Sequence, residues 1–120
     1  RMTALAPRLR HRITFQEQTA ERDSDGVLQV GWANVWLDSD TELASVPAEV
    51  LTGPGREAVI AGQVNADTAA RITVRWFPGL SQSWRILWDG LVYNVRTFDT
   101  DMTGRREWRI RCTEGMNDGQ

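Results

Sequence analysis

Two runs decide the fold: Arg71-Ile72-Thr73-Val74-Arg75-Trp76, and Trp84-Arg85-Ile86-Leu87-Trp88-Asp89-Gly90-Leu91-Val92-Tyr93-Asn94-Val95-Arg96-Thr97-Phe98. Ile72, Val74 and Trp76 alternate with Arg71, Thr73 and Arg75, and Trp84, Ile86 and Trp88 alternate with Arg85 and Leu87. A period of two puts one set on a buried face and the other on a wet one, so both runs read as strands. Asp89-Gly90 sits between the second strand and residues 91–98. A two-residue loop needs positive φ, which Gly supplies and Asp tolerates, so a tight hairpin is expected there. Residues 105–113 return through 99–104 as a second hairpin. Such an antiparallel meander buries one face, and its open edges must be curled together or covered.

Working outward, Leu9, His11, Ile13 and Phe15 alternate with Arg8, Arg10, Arg12, Thr14 and Gln16, which predicts a first strand. A polar turn over 21–26 leads to a second strand at 27–37. There the β-branched Val30 and Val35, with Gly31, favour strand over helix, and Trp32 and Trp36 fall on one strand face. The segment 38–67 is less regular. Ser39 with Glu42 resembles a helix-capping box, but Pro47 would interrupt the helix. A short strand at 46–51 is the alternative. Thr52-Gly53-Pro54-Gly55 is a loop, and 56–67 is either a short helix or an extended arm. A connection this long in a small domain is characteristic of a binding loop or a moving segment. Residues 114–120 read as a flexible tail.

The 120 residues make one domain, long enough to bury roughly two-thirds of its unfolded surface. No apolar run is long enough to span a bilayer, and the N-terminal residues show no signal-peptide core, so a cytosolic origin and no membrane contact are expected. Cys112 is the single cysteine, shares the phase of Trp108 and Ile110, and is expected to be a buried, inert thiol. Net charge is −2, against a general nucleic-acid binder, but it is unevenly spread. Arg1, Arg8, Arg10 and Arg12 face no acid within the first dozen residues, whereas Asp38, Asp40, Glu42, Glu49 and Glu57 oppose only Arg56 in the middle. A basic end and an acidic middle of this kind favour head-to-tail contact between copies.

Catalytic chemistry finds no support. His11 is the only histidine, which excludes paired-His metal sites and a His relay. Ser81 and Ser83 lack a nucleophile context. The pairs Asp23/Asp25, Asp38/Asp40 and Asp99/Asp101 are what turns normally contain, and Gly53-Pro54-Gly55-Arg56 is no phosphate loop. No catalytic residue, metal or cofactor is expected. Arg8, Arg10 and Arg12 on the first strand, Arg71 and Arg75 on the third long one, and Arg109 and Arg111 on the last all lie on the polar phase. If those strands are neighbours, they form an outward basic face able to meet phosphate, an acidic protein ring or water. Trp76, Trp84, Trp88 and Trp108 lie on the apolar phase and are expected in the core.

Leu9-Arg10-His11-Arg12-Ile13-Thr14-Phe15-Gln16, Gly31-Trp32-Ala33-Asn34-Val35-Trp36, Gly55-Arg56-Glu57, Arg71-Ile72-Thr73-Val74-Arg75-Trp76, Trp84-Arg85-Ile86-Leu87-Trp88-Asp89-Gly90, Tyr93-Asn94-Val95 and Gly104-Arg105-Arg106-Glu107 occur in that order over nearly the whole chain. With these motifs the chain resembles the phage head-tail joining proteins, also called head-closure, stopper or adaptor proteins, of siphophages, prophages and gene transfer agents. The resemblance implies a small antiparallel β-barrel with a long excursion between its second and third long strands. It implies a homo-oligomeric ring in the virion, below the portal or adaptor ring and above a tail terminator or tail-tube protein, through which double-stranded DNA passes. The excursion, 38–67, would then act as a gate. An acidic gate repels the duplex, because only neutralised phosphates strengthen a sequence-independent hold. Asp38, Asp40, Glu42, Glu49 and Glu57 with Gly53, Gly55 and Arg56 are therefore assigned to the lumen loop, and the arginines above to contacts with neighbouring rings. The competing reading is a nucleic-acid-binding barrel of the OB type, which needs exposed aromatics on the arginine face. Only Phe77 and Phe98 have that phase.

Overall fold

A computed structural model describes residues 6–53 and 68–115. After a 3-10 turn at Ala6–Arg8 come β1 (His11–Arg22), β2 (Leu28–Asn34), β3 (Trp36–Asp38), β4 (Thr41–Glu42), β5 (Val46–Thr52), β6 (Ala70–Arg75), β7 (Arg85–Trp88), β8 (Leu91–Asp99) and β9 (Glu107–Glu114). Pairing runs β2-β1-β5-β6-β9-β8-β7 and then from β7 back to β1, closing a six-strand antiparallel barrel from β1, β5, β6, β9, β8 and β7. The expected all-β barrel is borne out. Closure removes the edges that the alternating meander would otherwise leave open. The seam is short, joining Thr14 to Leu87, Phe15 to Ile86 and Gln16 to Arg85.

The aliphatic alternation fills the barrel as read, whereas of the tryptophans expected in the core only Trp84 is buried; Trp88 and Trp108 pack half-buried against it and Trp76 is half-buried outside the cluster. Ile13, Phe15, Ile72, Val74, Ile86, Ile110 and Cys112 are all essentially inaccessible, and burying each large side chain stabilises by about 1.5–3 kcal/mol. Phe15 meets Phe77 and Trp84 edge-on, with ring centroids 5.4 and 5.7 Å apart. The β7–β8 loop is the expected left-handed pair, Asp89 at φ 53° and Gly90 at φ 77°.

Two parts of the reading change. The second strand breaks at Val35, whose N–H donates to the Phe15 carbonyl at 2.9 Å and whose side chain enters the core. Trp32 and Trp36 therefore do not share an environment: Trp32 is half-buried and Trp36 is exposed. In 38–53, no helix starts at Ser39. β3 and β4 make a small two-stranded flap, with Asp38 Oδ1 accepting from the Asp40 N–H at 2.8 Å, and Leu43 returns to the core. β5, the strand alternative, is a stave of the barrel between β1 and β6.

Beyond the seam β1 runs on with β2 as a hairpin, in register from Gln16–Asn34 to Arg22–Leu28. The part past Gln16 projects by about 20 Å, at some 3.3 Å per residue. We call it the arm.

Candidate functional site

The outer face of β5, β6, β9 and β8 gathers much of the chain's charge. Register aligns Leu51, Arg71, Arg111 and Thr97 in one row, and Glu49, Thr73, Arg109 and Asp99 in the next, while Arg75 lies opposite Glu107. Arg8, brought in by the 3-10 turn, lays Nη2 2.8 Å from Glu49 Oε1 and Nη1 3.6 Å from Glu107 Oε1. Arg109 holds Asp99 at 2.6 Å and Glu107 at 3.5 Å. The Glu49 hydrogen bond raises the Arg8 guanidinium above its ordinary value. Arg8, Leu51, Arg71, Arg109 and Arg111 border a shallow cleft of about 230 Å³.

Of the strands read as possible neighbours, β6 and β9 do lie side by side, so arginines share one face, but the balance of charge on it differs from the reading. Arg8, Arg71, Arg109 and Arg111 do come together, with Arg75 on the same face, yet Glu49, Glu107 and Asp99 are threaded among them. The expected basic face is a mosaic, suited to registering a partner of alternating charge better than to gripping a phosphate backbone. Arg10 and Arg12 do not join it by hydrogen bonding: Arg10 Nε donates to the Pro7 carbonyl at 3.1 Å, and Arg12 Nη1 to the Ser45 carbonyl at 3.3 Å. Arg12 instead borders a second cleft with Trp88, Asp89, Gly90 and Leu91.

The acids assigned to the loop also separate. Glu49 belongs to β5 and is paired with Arg8 on the wall. Asp38, Asp40 and Glu42 are exposed on the flap. Gly53 takes φ 84° at the end of β5 and donates its N–H to the Ala69 carbonyl at 2.7 Å. Gly55, Arg56 and Glu57 lie outside the described residues, as do all of 54–67 and the tail from 116 onward.

A polar chain at the root of the arm has no counterpart in the sequence reading. Arg85, although on the polar phase, is only 9% exposed. Its Nε donates to Gln16 Oε1 at 2.9 Å, Gln16 Nε2 to Asn34 Oδ1 at 2.9 Å, and Asn34 Nδ2 to Glu42 Oε2 at 2.8 Å. The guanidinium also lies 4.4 Å over the Trp32 ring. Barrel, arm and flap are thereby tied at one point. Only the hydrophilic phase of Arg85, Gln16 and Asn34 hinted at it, since their pairing spans up to 69 residues of chain.

Among the described residues, the turn acids and the cysteine have structural surroundings. Asp23 Oδ1 accepts from the Asp25 and Val27 N–H groups at 2.9 Å, and these bonds, Val27's first, hold its carboxyl below the usual carboxylate range. Asp101 accepts from the Thr103 and Gly104 N–H groups. Cys112 is buried, and burial pushes its thiol up to about 12. Among the described residues no cluster of three or more His, Cys, Asp or Glu is arranged to hold a metal, and no helix is long and apolar enough to cross a membrane. Phe77 is buried and Phe98 packs edge-on against Trp108 at 5.1 Å, so neither offers the stacking surface that an OB-type site requires.

Solved structures with this fold include the solution structure of protein SF1141 from Shigella flexneri 2a. It is 26% identical over 94% of this chain and 97% of its own, with a TM-score of 0.69. A chain in the virion of a native gene transfer agent (GTA) particle is 17% identical, covers 90% of this chain and 96% of its own, and has a TM-score of 0.57. No curated protein matches. The profile of the phage head completion proteins matches residues 4–115, which takes in the barrel, the arm, the flap and the charged wall, and the chain belongs to that family.

Proposed function

We propose that the chain is a ring-forming head-tail connector of a tailed phage, prophage or gene transfer agent. It is assembled in the host cytoplasm and resides in the virion at the head-tail interface. Copies sit below the portal or adaptor ring, help close the DNA channel, and present the surface on which a tail terminator or tail-tube protein docks. The family match over residues 4–115 carries this reading. The geometry is compatible with it in two respects. A wall on which acids interrupt the arginines can register a neighbouring subunit without holding passing DNA tightly, because fewer phosphates are neutralised. The exposed Asp38, Asp40 and Glu42 of the flap suit a position at the rim of the conduit, where they would repel the duplex. The work is that of a scaffold, with no bond made or broken.

Deleting the gene from a producing strain tests the proposal. DNA-filled heads that leak and lack tails are expected, with infectivity or transfer restored by the full chain. Normal tailed particles without the gene, or absence of the chain from purified particles, would overturn it.

A further inference from the structure

We infer that the β1–β2 arm is the element by which one copy of the chain grips the next, its apolar stripe and acidic tip seated on the arginine-bearing wall of a neighbouring copy. This rests on the ring reading above and adds which surfaces meet.

The arm is amphipathic across its thickness. Directly opposed residues of an antiparallel pair point to the same face, so Trp32 with Gln18, Val30 with Ala20, and Leu28 with Arg22 form one side, while Glu17, Glu21 and Gln29 lie on the other. Residues 20–30 are all exposed, Leu28 by 51% and Val30 by 48%, with Val27 beside them at 55%. Apolar side chains in a row on a projecting hairpin contribute nothing to the barrel core, and contiguous exposed apolar surface marks a contact. The edge of β2 away from β1 has no strand partner among the described residues. Such an edge is open to pairing unless something covers it.

The arm is also held ready for docking. At its tip the Asp23 carboxylate ties Asp25, Val27 and Gln29, and Arg22 Nη1 donates to the Gly26 carbonyl at 2.9 Å. At its root Arg85, Gln16 and Asn34 fix it to the barrel and flap. A surface ordered beforehand loses little entropy when it binds.

Charge selects the occupant. The arm carries Glu17, Glu21, Asp23 and Asp25 against Arg22 alone. The wall carries Arg8, Arg71, Arg75, Arg109 and Arg111 against Glu49, Asp99 and Glu107, and Leu51, 45% exposed, lies in the same row as Arg71 and Arg111. An apolar spot among arginines complements an apolar stripe ending in acids. Because arm and wall are different surfaces of one chain, the contact is heterologous, the kind that generates a closed ring when its rotation closes.

The test adds purified full-length chains to heads from the deletion strain and counts retained copies by quantitative mass spectrometry. Leu28→Asp/Val30→Asp is expected to lower retention by at least about tenfold, as loss of a buried interface anchor does. Circular dichroism should show the barrel folded, because both side chains stand outside it. Ser24→Arg/Asp25→Arg at the arm's tip and Arg75→Glu/Arg111→Glu on the wall, all at exposed positions, should each be poorly retained alone. Mixed one to one they should be retained like the wild type, since each arm then faces a wall of opposite sign. Wild-type retention of Leu28→Asp/Val30→Asp, or no recovery on mixing, overturns the arm-to-wall contact and leaves the connector reading standing. Wild-type chains that heads do not retain at all, and that are absent from native particles, overturn both.

Discussion

Replacing Arg85 by Ala removes the tie between barrel and arm, and its cost can be assembled from contacts. The side chain is 9% exposed, donates to Gln16 Oε1 at 2.9 Å and covers the Trp32 ring at 4.4 Å. A hydrogen bond to a charged group contributes about 1.5–3 kcal/mol, and a partly desolvated cation–π contact about 0.5–2 kcal/mol. Removing both, while leaving Gln16 Oε1 short of a donor, gives roughly 2–4 kcal/mol after allowing for non-additivity within one network. Urea unfolding should show this as a lower midpoint at an unchanged slope, since the area exposed on unfolding hardly changes. The location of the effect can be read separately. Hydrogen exchange should quicken along the β1–β2 ladder by more than the global destabilisation accounts for, while the β6–β9 ladder follows global stability alone. Arg85→Lys keeps the charge without the planar fork and should recover only part of the loss. Arg85→Ala within about 0.5 kcal/mol of the wild type, the usual range for surface substitutions, would refute the reasoning.

Three further outcomes are expected. The Cys112 thiol is raised by burial from 9.0 in the open chain to about 12 in the fold. The native state thus keeps a proton that the unfolded state releases, so its contribution is intact below pH 9 and lost as pH rises towards 12; the wild type should lose stability over that window relative to Cys112→Ala, by an amount on the order of 4 kcal/mol at its end. The same thiol should resist alkylation until the chain is unfolded. Gly90→Val places a β-branched residue at φ 77° and should cost about 1–3 kcal/mol by thermal melting, with Gly90→Asn milder; an unchanged melting temperature for Val would contradict the left-handed loop. In filter binding at moderate salt the free chain should hold single-stranded and duplex DNA only weakly, and micromolar or tighter retention would revive the OB-type reading.

How far the fold could be read from residues follows from the range of the signal. Alternation is local, so Ile72 and Val74, or Ile86, declared their phase without any tertiary information, and Asp89-Gly90 declared its loop. The same rule failed at Val35. The chain breaks there because a backbone bond to Phe15 and a place in the core outweigh continuity of one strand, and neither partner is near in sequence. Ser39 and Glu42 suggested a helix start for a similar reason. A capping pattern is a statement about a single turn, while the β-branched Val46 and Val50 could pair across to β1 and β6.

The site was legible in one dimension only. Phase says that Arg71, Arg75, Arg109 and Arg111 point outward, but the charge a neighbour meets depends on which strands lie side by side. Here β5 brings Glu49 and β8 brings Asp99 into the arginine rows, from 22 residues before Arg71 and 10 before Arg109. A reading that assigned Glu49 to a loop could not see it neutralising Arg8, 41 residues away. The error has a physical consequence. A uniformly basic wall would bind any polyanion with an affinity set mainly by salt. A mosaic loses most of that unspecific attraction, since each interposed acid cancels a neighbouring guanidinium at distances beyond a Debye length, while at contact the order of signs still distinguishes a matched surface from a mismatched one. In the proposed connector role, DNA would slide past the chain and neighbours would seat on it in one register, which calls for weak attraction at long range and discrimination at contact. Interleaving Glu49, Asp99 and Glu107 among the arginines provides both with the same side chains.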